Sequence, residues 1–191
     1  MVLQEEWPIG PMGVPYRKAA RVIVIDEQRK RTLLIRGHDQ NNPTHTWWFT
    51  VGGGLHEGET HRQGARRECY EETGIKAPVQ ALVGPVVERR AAMFFADRMR
   101  CQDEKFYLLY TTQTQLDNQR WTADEKQLLD EMRWFNAEEL GALSRQSIPI
   151  YPPELKELLP RLLERGWDGQ CVKIDEYRQA GASPVEGSTK G

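Results

Sequence analysis

The stretch from Gly53 to Ile75, GGLHEGETHRQGARRECYEETGI, constrains the fold more than any other part of this chain. Thr60 and Gln63 form the pattern T-x-x-Q, a capping box in which each side chain satisfies the other's backbone amide. Gly74 supplies a C-terminal stop, and Ile75 beyond it can pack back on the helix. The expected helix therefore runs from Thr60 to Thr73. Ala65 and Cys69 are small enough to lie against a sheet. Helical spacing of three and four residues puts Glu68, Glu71 and Glu72 on one surface, beside Arg67.

Packing does not ask for that much negative charge. Like charges four residues apart destabilise a helix by a few tenths of a kcal/mol per pair. One reading is a solvated acidic face with Arg67 as partial compensation. The other is a site for a hard cation. Magnesium takes oxygen ligands in octahedral geometry and shares its shell with water and substrate phosphates. Gly52, Gly53 and Gly54 precede the helix, and glycines let a ligand approach the main chain. Phosphoryl chemistry needs cations against the phosphates, a carboxylate to take a proton from water, and an arginine to hold the array.

The stretch resembles the Nudix box, G-x5-E-x7-R-E-U-x-E-E-x-G-U, where U is aliphatic. The matching positions are Gly53, Glu59, Arg67, Glu68, Cys69, Glu71, Glu72, Gly74 and Ile75. Cys69 stands at an aliphatic position, where it packs as a small hydrophobe. Val51 stands where many relatives have proline. The resemblance implies an α/β fold, a Nudix-like α/β/α sandwich with a mixed β-sheet between helices. It implies hydrolysis, dependent on magnesium with manganese as a substitute, of a phosphoanhydride bond in a nucleoside diphosphate linked to another moiety. A nucleoside triphosphate or a nucleotide-sugar-like compound is the expected substrate. By position, Glu68, Glu71 and Glu72 are implied as the metal-binding and base group, and Glu59 as the partner that orients Arg67. The carbonyl of Gly52 or Gly53 is implied as a further metal ligand. Which carboxylate acts as base differs among relatives and stays open. Two alternatives share the fold. An isoprenoid diphosphate isomerase would need a nucleophile-like cysteine, and Cys69 lies on a packing face. A nucleotide-sensing module would usually lack box carboxylates, all of which are kept here.

Elsewhere the pattern is of alternating strands and helices. Residues 1–17, with Pro8, Pro11 and Pro15, read as an arm, and residues 18–168 as the domain. Lys18–Ile25 is a strand rich in β-branched residues, paired through a polar turn with Thr32–Arg36. Arg36 faces a loop over residues 37–46, and its fork suits phosphate oxygens. Trp47–Val51 is a short aromatic strand, with Trp48 a candidate to stack on a base. Leu82–Phe95 is a strand broken near Gly84-Pro85, because proline cannot donate to a ladder. A turn follows at Ala96–Arg98, then a strand over Met99–Thr112. Its segment Phe106–Tyr110, FYLLY, is apolar on both faces and so should be covered on both. Glu104 begins that segment and is a candidate acid facing the site.

Thr122 with Glu125 is a second helix cap, within 121–130. Met132–Phe135 is a strand, and Asn136 with Glu139 caps a helix around Leu140 and Leu143. Residues 152–165 form a final helix whose leucines make one apolar stripe, for the core or a homodimer interface. Pro160 should kink or split it. Residues 169–191 read as a tail, disordered in part.

Composition excludes some partners. The net charge of −2 offers no global attraction to nucleic acid or to an acidic membrane, so neither is expected as a partner. A nucleotide-type small molecule must be held by a local site. No run approaches the roughly 18 apolar residues of a membrane span. The N-terminus lacks signal-peptide character, which makes the cytoplasm the expected location. Cys69, Cys101 and Cys171 show neither zinc-like spacing nor a disulfide framework.

Overall fold

The computed structural model describes residues 7–40, 42–95, 98–123 and 125–177. Among them lie strands β1 (Tyr16–Asp26), β2 (Arg31–Asp39), β3 (Asn42–Phe49) and β4 (Val51–Gly54). Helix α1 (His61–Thr73) follows, then β5 (Val83–Phe95), β6 (Arg98–Thr111), a single turn α2 (Glu125–Leu128) and β7 (Leu129–Phe135). Helix α3 (Ala137–Arg145), β8 (Ile150–Tyr151), helix α4 (Leu155–Arg165) and β9 (Val172–Asp175) complete the chain. The strands form one mixed sheet in the order β8-β3-β2-β1-β6-β5-β9, with β4 added to β1 and β7 to β2. β1 is the axis. It runs parallel to β6 from Tyr16 opposite Cys101 to Asp26 opposite Thr111, and antiparallel to both β2 and β4.

The central strands β1, β2 and β6 are buried on both faces over most of their length, and strand alternation divides their side chains between two cores. Val22, Val24, Leu33, Ile35, Tyr107 and Leu109 pack with Ala65 and Cys69 of α1. Ile23, Ile25, Leu34, Phe106 and Leu108 pack on the other face with Leu140 and Leu143 of α3 and the leucines of α4. The two-sided FYLLY segment thus reflects two helical layers, and the fold is the expected α/β sandwich around a mixed sheet. Leu155, Leu158, Leu159, Leu162 and Leu163 are all buried within the chain. The leucine stripe is core and is not available as a homodimer interface.

Several expectations change. Residues 37–46 are not a loop for most of their length: β2 continues to Asp39, and β3 starts at Asn42. Asn42 carries no apolar signal and pairs with Asp39, while Pro43 and Thr44 lie at the register shift between that pair and the pairing of His38 with Thr46. The aromatic strand ends at Phe49, and Val51 belongs to β4. The cap Thr122–Glu125 opens only one turn before β7, which begins at Leu129, three residues before the expected Met132. Pro160 lies inside a single helix, because leucines on both sides of it are buried on the same face. Residues 172–175, read as tail, form β9 parallel to β5. The ladder between β5 and β6 shifts register between Val83 and Val87, where Gly84-Pro85 interrupts the strand. Residues 96–97 of the expected turn and 178–191 of the tail lie outside the described residues.

Phe106 and Leu159 occupy the centre of the second core, each at most 1% exposed. Phe106→Ala is expected to cost about 3–5 kcal/mol and Leu159→Ala about 2–5 kcal/mol. Urea unfolding followed by tryptophan fluorescence checks this; losses below about 1 kcal/mol would contradict the two-core arrangement.

Candidate active site

Helix α1 is set in place by local chemistry at each end. Gln63 donates its backbone N–H to the Thr60 hydroxyl at 3.3 Å, and the Thr60 N–H donates to Gln63 Oε1 at 2.9 Å. Gly74 takes the left-handed conformation, φ 74°, and its N–H closes the last turn on Tyr70 O at 2.9 Å. With Ala65 and Cys69 against the sheet, the acidic surface of the helix turns toward the glycine strand β4. Glu68 and Glu72 are 9% and 5% exposed, which rules out a solvated acidic face for these two.

Arg67 organises the carboxylates. Its Nε and Nη2 donate to the two oxygens of Glu59 at 2.9 and 2.8 Å, a bidentate fork. Nη1 donates to Glu68 Oε1 at 2.7 Å and to Glu71 Oε2 at 2.9 Å, and Nη2 also reaches Gly54 O at 2.9 Å. Glu59 further accepts the His56 N–H at 3.0 Å. The Arg67 fork holds the Glu59 carboxyl below the usual carboxylate range. Burial pushes Glu68 up, against the opposing pull of Arg67. Burial, and then the charge of Glu68, push Glu72 well above the ordinary value.

The glycines bring the backbone up to those carboxylates. Gly52 N–H donates to Glu72 Oε2 at 2.7 Å. Gly52 has φ 133°, and a Cβ there would lie 2.2 Å from the Ala20 carbonyl oxygen. A Cβ on Gly53 would lie 2.8 Å from Glu68 Oε1. The indole of Trp121 donates to Glu72 O at 2.8 Å and ties the end of α1 to the loop before α2.

The other expected site residues lie differently. Trp48 is buried in the α3–α4 core with its ring edge-on to Phe135 at 4.7 Å; strand alternation turns it away from the face of α1. A stacking role for Trp48 is therefore replaced by core packing. Arg36 is held by Asp130 at 3.2 Å and Glu131 at 3.0 Å on β7. Glu104 is buried and accepts from Arg21 Nε at 3.0 Å, Arg89 Nη1 at 2.7 Å and Gln102 Nε2 at 2.7 Å. Burial alone would raise its carboxyl, but Arg21 and Arg89 outweigh that and hold it low. Glu104 is thus the centre of an ion-pair cluster and not a free acid facing a ligand. Arg21 itself went unnoticed in the sequence. The available signal was a lone arginine in the apolar run ARVIVI, a position that demands a buried partner.

Among the described residues, no three His, Cys, Asp or Glu side chains already converge tightly enough to hold a metal ion. The donor chemistry nevertheless fits a hard cation. All the donors are oxygens, and two buried carboxylates repel each other in a way that a cation would relieve. Glu71, whose side chain is 46% exposed, is the most accessible of the three helix carboxylates. Among the described residues, no helix is long and apolar enough to cross a membrane.

Comparison with known proteins places this geometry in a class. The model of the NUDIX domain matches residues 15–162, and the chain belongs to the Nudix family. An RNA pyrophosphohydrolase of Cereibacter sphaeroides (strain KD131 / KCTC 12085) is 36% identical over 72 residues, which cover 38% of this chain and 42% of that protein. The chain thus spans about two fifths of the length of that relative. An RNA pyrophosphohydrolase of Pseudoalteromonas translucida (strain TAC 125) is 25% identical over 158 residues, covering 72% of this chain and 82% of its own. The crystal structure of a MutT protein from Methanosarcina mazei Go1 shares the fold, with a TM-score of 0.53 at 19% identity over 80% of this chain and 98% of that one.

Because the folded Glu59 carboxyl is held low, its contribution to stability is complete above the unfolded value, about 4.3, and fades as pH falls through the lower folded value. Glu59→Gln is therefore expected to lower the urea midpoint at neutral pH. The gap from wild type should narrow as the pH is taken from about 5 toward 2. A gap that stays constant over that range would contradict the Arg67 fork.

Proposed function

We propose that this chain hydrolyses a phosphoanhydride bond in a nucleoside diphosphate linked to another moiety. The cation is magnesium, or manganese in its place, held by Glu68, Glu71 and Glu72 with the carbonyl of Gly53. One observation carries the reading: Glu68 and Glu72 are buried side by side against a glycine strand, where charge without a cation is unfavourable. When bound, the divalent ion offsets the charge that develops on the phosphate oxygens.

The chain's own residues do the rest. Arg67 fixes Glu59, Glu68 and Glu71 relative to one another and to the Gly54 carbonyl. That preorganisation means little rearrangement is needed as charge develops. One carboxylate of the helix holds the attacking water and takes its proton. Oxygen of that water bonds to phosphorus as the anhydride bond breaks, and the second phosphate leaves with the bonding pair. Gly52 and Gly53, without side chains, let the glycine strand lie directly against the Ala20 carbonyl of β1 and the Glu68 carboxylate of α1.

A nucleoside triphosphate or a nucleotide-sugar-like diphosphate is the leading substrate. A second reading, RNA as substrate, draws on the names of the Cereibacter and Pseudoalteromonas relatives. Against it, the net charge of −2 gives no general attraction to a polyanion. A panel of nucleoside triphosphates, nucleotide sugars and RNA bearing a 5′ triphosphate, assayed with magnesium for phosphate and pyrophosphate, separates the two. Turnover on mononucleotides supports the first reading and turnover on RNA alone the second; no turnover on any member would overturn both.

Glu72→Gln is expected to lower turnover on the best substrate by at least about 100-fold, the scale of losing a preorganised electrostatic contact. Circular dichroism should be unchanged. Near-normal turnover in this variant would contradict the assignment of Glu72.

A further inference from the structure

A line of charged side chains crosses the sheet behind the glycine strand. It starts just past β9, at Glu176, beyond the residues that match the family model. Glu176 Oε1 accepts from Arg89 Nε at 2.7 Å, and Arg89 Nη1 donates to Glu104 Oε2 at 2.7 Å. The second oxygen of Glu104 accepts from Arg21 Nε at 3.0 Å. Arg21 Nη1 then donates to the Gly52 carbonyl at 2.7 Å. Gly52 and Arg21 are direct partners in the β1–β4 ladder. On its other side, the Gly52 N–H donates to Glu72 at 2.7 Å.

Both backbone polar atoms of Gly52 are thus held by charged side chains, which reach it from opposite faces of the sheet. Arg21 extends from the face of Ile23 and Ile25, by the alternation of β1, and Glu72 belongs to α1 on the other. Gly52 sits at a positive φ, and a glycine there can rotate where other residues cannot. Its orientation depends on what grips it. A guanidinium grips in two directions at once: Nε is fixed on Glu104 while Nη1 reaches Gly52. Lysine, a compact charge with no planar fork, cannot reproduce that geometry.

We propose that Arg21 is a positioning residue for Glu72. Clamped by Glu104, its guanidinium fixes the Gly52 backbone so that the Gly52 N–H holds the Glu72 carboxylate in place. The effect on turnover rests on the hydrolase reading above; the effect on Gly52 does not.

The test is amide hydrogen exchange at Gly52, measured by NMR on the metal-free full chain. In Arg21→Lys, exchange at Gly52 is expected to quicken by at least about tenfold relative to the amides of Val22 and Val24, the scale of one charge-assisted hydrogen bond. The Mn2+ dissociation constant, read by electron paramagnetic resonance, should rise by at least about fivefold, and kcat should fall while KM stays within about threefold. Glu104→Gln should move all of these in the same direction by less. Asp26→Asn breaks another buried ion pair of β1, with Arg31 at 2.8 Å and far from Gly52 in the strand. It should lower the melting temperature and leave exchange at Gly52 unchanged relative to its neighbours.

Equal exchange at Gly52 in wild type and Arg21→Lys would overturn the proposal. So would an Asp26→Asn effect on Gly52 as large as that of Arg21→Lys, since Arg21 would then act through stability alone. If Arg21→Lys does not fold, the same comparison in Glu104→Gln decides. A chain that hydrolyses no diphosphate but shows the exchange change refutes the hydrolase reading and keeps this one.

Discussion

The candidate site depends on the guanidinium of Arg67. Without it, α1 would present Glu68 and Glu71 within reach of each other beside buried Glu72, since Arg62 and Arg66, the other arginines of the helix, donate to backbone carbonyls of Leu82, Gly84 and Ala77 instead. Its fork on Glu59 also joins the loop before the helix to the helix itself, and its bond to Gly54 O joins both to the sheet. A single planar cation thereby sets the relative positions of loop, helix and glycine strand. The geometry rests on charge-assisted bonds, which are shorter and stronger than neutral ones.

The sheet performs the second half of the positioning. β1 is central because it is parallel to β6 and antiparallel to both β2 and β4, so three neighbours fix it at once. Its even-numbered residues Ala20, Val22 and Val24 pack toward α1, while Ile23 and Ile25 pack toward α3 and α4. Arg21 falls into the second series and is the polar interruption in it. The cost of burying that charge is offset by Glu104 and by the Gly52 carbonyl. The strand that stabilises the fold is therefore the same one that touches the glycine turn beneath the carboxylates.

Much of this was legible in the sequence where the determinants are local. The cap at Thr60 and Gln63, the stop at Gly74 and the two-faced FYLLY segment each act over a few residues, and each specifies its element. The pairing of Arg67 with Glu59 came from the box resemblance and spans only eight positions. What could not be read depends on long-range pairing. Glu104 reads as a strand-end acid until Arg21, 83 positions away, is brought beside it. Trp47 and Trp48 are chemically alike, and only the register of β3 decides that Trp48 is the one that enters the core. β9 has too few apolar residues to announce itself, and its parallel ladder with β5 makes it a strand. Asn42 likewise is drawn into β3 by its pairing with Asp39.

In the proposed reaction, water attacks phosphorus at a cation held by the carboxylates of α1. Hydrolysis in 18O-enriched water with a nucleoside triphosphate or nucleotide sugar, and mass spectrometry of the products, tests it most directly. One 18O atom is expected in one of the two phosphate-bearing products of each turnover. Labelling should require added magnesium or manganese and be abolished by a chelator. Cleavage without incorporated label, or labelling that proceeds equally with no divalent cation, would contradict it.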